Sequence, residues 1–352
     1  MSIFRPFRLF VFLFPLLLIG CEFSLFEGFK PQEVAPSPAT PVTDSPEAPT
    51  CPAEFSLVAA NATLSTSGFC VSKYEMKASL TSDGSDVFDA ATTALDALTH
   101  IPESRASGVP WVKINFATAR SECASLGTGY RLIKLLEWEA LARNLEAQNA
   151  NWSGGAVGTG LLLGGHSDGA IAADAVASGL AVTGFLLLGA STGGDGLEGT
   201  GQAGAISTDP TYLQKRKMIL ASGDEVWDLA GNAREWVDLD GNGSLIDYTG
   251  PGASTHLELN STEFTNFLST IVLTVGGAAF PLTNFGPLTS GYNHAGQNIG
   301  KFYVSSGART GAAITRGANF SAANSPGIFA GDTDTAPTAT SASVTFRCVY
   351  SD

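Results

Sequence analysis

Few side chains in this sequence could start chemistry. The four histidines, His100, His166, His256 and His294, are scattered with no HxxxH-type spacing. Each therefore reads as a surface or loop residue rather than a metal ligand or general base. His166-Ser167-Asp168 sets a base, a hydroxyl and an acid side by side, but a catalytic triad is an arrangement in space and not adjacency in sequence. The five cysteines are Cys21, Cys51, Cys70, Cys123 and Cys348. No CxxC pair supports a metal site, and the gap from 123 to 348 holds no thiol for nucleophilic chemistry. Oxygen ligands are better represented. Asp238-Leu239-Asp240-Gly241-Asn242-Gly243 matches the first half of an EF-hand-type loop, with oxygens at the first, third and fifth positions and glycine at the sixth. Thr249 stands at the twelfth position, where a bidentate Glu is required, so an Asx-rich turn is the preferred reading.

The N-terminus, MSIFRPFRLFVFLFPLLLIGCEF, carries Arg5 and Arg8, an apolar run from Leu9 to Ile19, and then Gly20-Cys21. It resembles a bacterial lipoprotein signal peptide ending in a lipobox, and the apolar run is too short for an ordinary membrane span. The expectation is a signal peptide over 1–20, a lipid on the Cys21 thiol, and an exported protein held to the membrane by acyl chains. That places it in the cell envelope, on the outer membrane or cell surface. A cleaved secretory peptide with an incidental Cys21 is the alternative. Removing Cys21 leaves four cysteines, an even count that suits an oxidising compartment and allows three pairings. The favoured pairing is Cys51–Cys70, closing a short loop, with Cys123–Cys348, stapling the end of the domain to an early helix. Residues 21–50 include PQEVAPSPATPVTDSPEAPT, a composition suited to an extended tether. The globular domain is expected over 51–352.

Composition narrows the class. The chain has 352 residues, a formal net charge of -14 and only 19 Lys plus Arg, a surface that repels phosphates, so nucleic acid is excluded as a partner. Charged residues make up 15% and glycines number 40, which points to a loop-rich globular domain and not to a helical bundle or a disordered chain. Two helices are legible. Asn115 can cap one over 116–126 with Gly127 as its stop, and Phe116, Ala119, Cys123 and Leu126 fall on one face. The other spans 134–147, with Leu135, Trp138, Leu141, Ala142 and Leu145 as its buried stripe. The glycine-rich stretch 153–204 holds apolar islands at 161–163 and 185–188. Short strands are predicted at 225–228, 271–275, 313–316 and 344–349. Brief strands, two helices and many loops make the fold class α+β.

Five pieces occur in one order: Phe69-Cys70-Val71-Ser72-Lys73-Tyr74-Glu75; Tyr130-Arg131-Leu132-Ile133 with Glu137-Trp138-Glu139 and Ala142-Arg143; Val226-Trp227-Asp228-Leu229-Ala230-Gly231-Asn232-Ala233-Arg234-Glu235-Trp236; Arg316-Gly317; and Phe346-Arg347-Cys348. Together they resemble the formylglycine-generating-enzyme-like (sulfatase-modifying factor) family, which has a variant of the C-type lectin fold. The family's oxidases need two cysteines near positions corresponding to Ala322 and Gly327, and another branch uses a three-histidine iron site. This sequence has neither, so the resemblance implies no catalysis and no redox cofactor; an oxidase or metal-dependent enzyme is the rival reading. It also implies calcium in the 226–236 loop, with Asp228 and Glu235 as side-chain ligands and the carbonyls of Gly231 and Ala233 beside them. The other reading of those acids is that they pair with Arg234 or Arg316 and only hold the loop.

The last segment carries a second resemblance. Arg316-Gly317, Gly327-Ile328-Phe329-Ala330, Ala336-Pro337 and Phe346-Arg347-Cys348-Val349 are spaced like the variable region of diversity-generating-retroelement target proteins, some of which are surface lipoproteins. The positions that would be rewritten are Phe320, Ser321, Ala322, Ser325, Gly331, Asp332, Asp334, Thr335, Ala339, Ser341 and Ser343. They are mostly small or polar, unlike a buried segment, with Phe329 and Val344 as inward anchors. The expectation is a non-catalytic ligand-binding lipoprotein that uses residues 319–343 on a protein or glycan partner. An ordinary solvated loop is the alternative.

Overall fold

Asn115 starts the first helix as its position predicts. In the computed structural model, which describes residues 49–79, 100–106, 110–165, 216–273, 285–319 and 325–351, α1 spans Phe116–Ser125 and the Asn115 side chain accepts from the Thr118 amide at 2.9 Å. That satisfies one of the amides a helix start leaves unpaired. Gly127 follows the helix with φ at 123°, a backbone conformation that favours glycine. Phe116, Ala119 and Cys123 are buried, and Leu126 packs at the margin. Helix α2 spans Leu135–Glu146. The Glu137 carboxylate accepts from the Lys134 amide at 2.9 Å, an acid placed well for the positive end of the helix. Its predicted stripe, Leu135, Trp138, Leu141, Ala142 and Leu145, is buried, and so are Glu139, Arg143 and Glu146. This helix is covered on more sides than a surface helix would be.

A third helix, α3 (Thr262–Ser269), corrects the two-helix expectation. Ser261 caps it by accepting from the Phe264 amide at 3.0 Å, and Phe264, Phe267 and Leu268 point inward. Eight residues hold too few apolar positions for the helical period to stand out in sequence. A one-turn helix, α4, follows at His294–Gln297.

The strands among the described residues are β1 (Phe55–Val58), β2 (Phe69–Ser72), β3 (Met76–Ser79), β4 (Ile101–Ser104), β5 (Tyr130–Leu132), β6 (Lys217–Ile219), β7 (Glu225–Trp227), β8 (Arg234–Val237) and β9 (Ile246–Thr249). They continue with β10 (Thr255–Glu258), β11 (Val272–Leu273), β12 (Lys301–Val304), β13 (Ala308–Ala312), β14 (Ile314–Arg316), β15 (Gly331–Asp332), β16 (Val344–Phe346) and β17 (Cys348–Tyr350). One sheet runs β1-β2-β17-β5 and a larger one β10-β12-β15-β14-β8-β16; β11-β9-β13, β3-β4 and β6-β7 form small sheets. The protein is thus α+β, with few helices and several small sheets. The described residues fall within one unit, Glu47–Asp352.

The strand expected over 344–349 is two strands. β16 pairs parallel with β8, and β17 pairs antiparallel with β2 and β5. The chain changes sheets at Arg347, so the last strand closes onto the first sheet. Both expected disulfides are present, Cys51–Cys70 and Cys123–Cys348. The second ties α1 to β17 across 225 residues. One apolar cluster forms around Trp138, Phe264, Phe302 and Phe329, and another around Trp111, Trp236 and Phe346. Leu162 makes a single bridge to Trp152, so the apolar island at 161–163 anchors a loop. Cys21, the leader and most of the tether, His166-Ser167-Asp168 and the 185–188 island lie outside the described residues. No helix among the described residues is long and apolar enough to cross a membrane.

Candidate functional site

The 226–236 segment carries buried charges, Asp228 and Glu235. Arg216 grips Asp228 with two hydrogen bonds, one of them 2.6 Å from Nη2 to Oδ2. Arg347 grips Glu235 likewise, at 2.8 Å from Nη2 to Oε1 and 3.0 Å from Nε to Oε2. The Arg347 Nη1 also donates to the Ser72 carbonyl at 2.7 Å, and Nη2 to the Trp227 carbonyl at 2.8 Å. A third pair joins Arg316 to Glu139 at 2.9 Å. All six side chains are buried, and charges out of water persist only when paired and hydrogen-bonded. Loop-holding pairs thus exist with other partners than expected: Asp228 and Glu235 take Arg216 and Arg347, while Arg234 pairs with Asp332.

That arrangement answers the calcium expectation for Asp228, Gly231, Ala233 and Glu235. A guanidinium already stands against each carboxylate, with its positive charge on the oxygens a cation would need. The residues as placed do not fit calcium, which wants several free oxygens around one point. The Asp238–Gly243 stretch is an Asx-rich turn, as preferred. Asp238 Oδ1 accepts from the Gly241 and Gly243 amides at 2.9 and 3.1 Å, and its Oδ2 from Arg120 Nε at 2.6 Å. Asp240 accepts from the Asn242 amide at 2.9 Å and from Ser244 Oγ at 2.7 Å. The oxygens are taken by the turn's own donors and by Arg120 on α1.

Behind the loop lie two residues that were not read as site residues. Glu75 is fully buried; its Oε1 accepts from the Ala233 amide at 3.1 Å, and its Oε2 sits 2.5 Å from Asn232 Nδ2. Burial pushes the Glu75 carboxyl well above the usual carboxylate range, and the nearby Asp228 and Glu235 charges push it further. Lys77, also buried, has no hydrogen-bond partner on Nζ, and desolvation pulls its amine down to about 8. Glu75 is part of a matched motif, so its burial could have been anticipated; Lys77, in a strand of mixed polarity, gave no such signal.

The segment that follows Arg316 is a frame with a polar rim. Gly317 has φ at 73°, and a Cβ there would meet the Leu229 carbonyl oxygen at 2.6 Å, so only glycine fits. Trp138 Nε1 donates to the Ile328 carbonyl at 2.9 Å. Phe329 and Val344 are buried, as inward anchors should be. Phe320, Ser321 and Ala322 lie outside the described residues. Three expected contact positions turn inward. Ser325 is buried. Gly331 lies in β15 against the Phe302 ring, where a Cβ would come within 2.3 Å of Cε2. Asp332 pairs with Arg234 and accepts from the Asp334 amide at 2.6 Å. Their types look like surface types, but the register of β15 between β12 and β14 puts Gly331 and Asp332 inside, and Ser325 is buried in the loop before that strand.

Asp334 is exposed, and Thr335, Ala339, Ser341 and Ser343 are partly so. The backbone beneath them is fixed: Lys113 and Phe116 amides donate to the Ser341 and Pro337 carbonyls at 2.9 and 3.0 Å. Beside this rim the fold adds residues from distant sequence. Tyr303 is in register with Asp332, and His256 is opposite Tyr303, their rings 4.8 Å apart. Arg309 lies 3.6 Å from Asp334. The fold also brings His256 and His294 within electrostatic reach of each other; desolvation, then the Lys301 charge, lowers both from their ordinary value. His294 opens α4, and its amide donates to Glu258 at the end of the His256 strand at 2.9 Å, a tertiary contact that nothing in the local sequence reveals. No protein-family model matches the chain, and no curated protein matches it.

Proposed function

We propose that this is an exported, lipid-anchored, non-catalytic binding protein with a formylglycine-generating-enzyme-like variant of the C-type lectin fold. Its recognition surface lies within residues 319–343, and its partner is a protein or a glycan. The observation that carries the reading is the contrast along the last segment. Exposed short polar side chains at 334–343 stand on backbone pinned to residues 113 and 116, between the buried anchors Phe329 and Val344. Recognition commonly sits on loops that a rigid scaffold positions, and a fixed backbone lowers the ordering cost of binding. Within that surface Asp334, Thr335, Ala339, Ser341 and Ser343 make contact, flanked by Tyr303, His256 and Arg309. The buried Ser325, Gly331 and Asp332 support the surface from beneath.

The protein, displayed on glycan and protein arrays, is expected to give a discrete set of ligands that the triple substitution Asp334→Arg, Ser341→Arg and Ser343→Arg removes. Undiminished binding by the triple variant would overturn the assignment. Diversification by a retroelement has its own check. The DNA flanking the gene is expected to hold a reverse transcriptase gene and a near-copy of codons 316–350, differing mainly where the copy has adenine.

A further inference from the structure

We propose that Lys77 and Asn232 become joined by an isopeptide bond that forms inside the folded domain, with Glu75 as the acid–base group. The three side chains are almost completely removed from solvent, with exposures of 1% for Lys77 and 0% for Asn232 and Glu75. Lys77 lies in β3, and Glu75 stands two residues earlier, immediately before the strand begins. Each of the two alters the other's ionisation, and both feel Asp228 at the start of the Asn232 loop. Asn232 is held against Glu75 by the 2.5 Å contact and has φ at 67°, so its position is fixed by the loop.

Two buried polar atoms are without hydrogen-bond partners here: Asn232 Oδ1 and Lys77 Nζ, the latter 5.4 Å from the centre of the Tyr74 ring. Each such atom costs free energy, and the pair is an amine and an amide, the reactants of an isopeptide bond. The two ends of an asparagine amide are distinguished by their partners. Turned over, Asn232 presents Oδ1 to a protonated Glu75, which satisfies that oxygen and draws electrons from Cγ. Burial favours both the uncharged acid and the uncharged amine that this needs.

The step balances without any further reagent. The Nζ lone pair forms a bond to Asn232 Cγ, and the Cγ–Nδ2 bond breaks. Glu75 passes its proton to Nδ2 and takes one back from Nζ. Ammonia leaves, and the carboxyl is restored for hydrogen bonding to the new amide. Nothing is oxidised or reduced.

The full-length protein, reduced and digested with trypsin, decides the matter by mass spectrometry. A branched species is expected, joining the peptide that contains Lys77 to the peptide that contains Asn232. It would be lighter than their sum by one ammonia and uncut after Lys77. Separate, unmodified peptides in the wild-type digest would overturn the proposal whatever any variant does. Lys77→Met and Glu75→Gln are each expected to abolish the branched species. A Glu75→Gln protein that retains its Cys123–Cys348 disulfide and its circular dichroism, and is still fully linked, would remove Glu75 from the reaction.

Discussion

At the scale of single residues, the interior is organised by arginines. Arg347 satisfies Glu235 and two carbonyls at once. Arg347→Met leaves Glu235 buried and unpaired, and the expected loss is about 3–5 kcal/mol in urea unfolding. The double variant Glu235→Leu with Arg347→Met is expected to recover much of it, because the unpaired charge is gone. Full additivity of the two single losses would contradict this pairing account. Glu122, buried on α1, shows the opposite situation: desolvation raises its carboxyl to about 7. The folded form therefore holds its proton more tightly than the unfolded chain. The stability this carries is present below about pH 4.5 and is lost as pH rises through 7. Glu122→Gln is thus expected to match the wild type near pH 4 and to exceed it at pH 8, by on the order of 1–3 kcal/mol. Urea melts at the two pH values measure the difference; an equal gap at both would refute the linkage. The positions of Arg347 and Glu235 were legible from sequence, within quoted motifs, but their partners were not. Asp228 and Glu235 were visible as a loop's acids, while Arg216 and Arg347 reach them from other strands or loops.

Local rules worked where the signal was local, which is the element scale. Asn115 was read as a cap and is one, and the stripe of α2 was read residue by residue. Asn115→Ala is expected to cost about 1 kcal/mol, and Ser261→Ala at α3 a similar amount, each seen as a lowered urea midpoint with an unchanged slope. Gly317→Ala tests the close approach of Leu229 to β14. Positive φ and the 2.6 Å contact together are expected to cost more than the roughly 1 kcal/mol of a helix glycine change. A neutral result would mean that the loop yields. The strands were mostly missed because they are two to five residues long, too short for alternation to show. Gly331 and Asp332 look like surface residues for the same reason: β15 is two residues long, and only its neighbours β12 and β14 reveal that it is inside, while Ser325 is buried in the loop before it.

For the whole molecule, the chain's end is returned to its beginning. β17 lies between β2 and β5, and Cys348 is bonded to Cys123. Closing a 225-residue span restricts the unfolded chain by on the order of 5 kcal/mol in the chain-entropy account, against about 3 kcal/mol for the Cys51–Cys70 loop. Cys123→Ala with Cys348→Ala is therefore expected to lower the thermal midpoint more than Cys51→Ala with Cys70→Ala; the reverse order would show that native packing and not loop length dominates. The sequence by itself determined the α+β class and the two longer helices, which rest on spacing along the chain and on capping chemistry. It favoured one of three possible disulfide pairings, and the inward anchors Phe329 and Val344 were implied by the resemblance of the last segment to variable regions. Only the tertiary structure decided which arginine meets which acid, which polar positions of the last segment face solvent, and that His256 and Tyr303 border them. Those outcomes depend on strand register and on sheets assembled from both ends of the chain. Buried charge then follows the assembly, because an ion pair needs a partner in space and sequence distance sets no limit on where that partner lies.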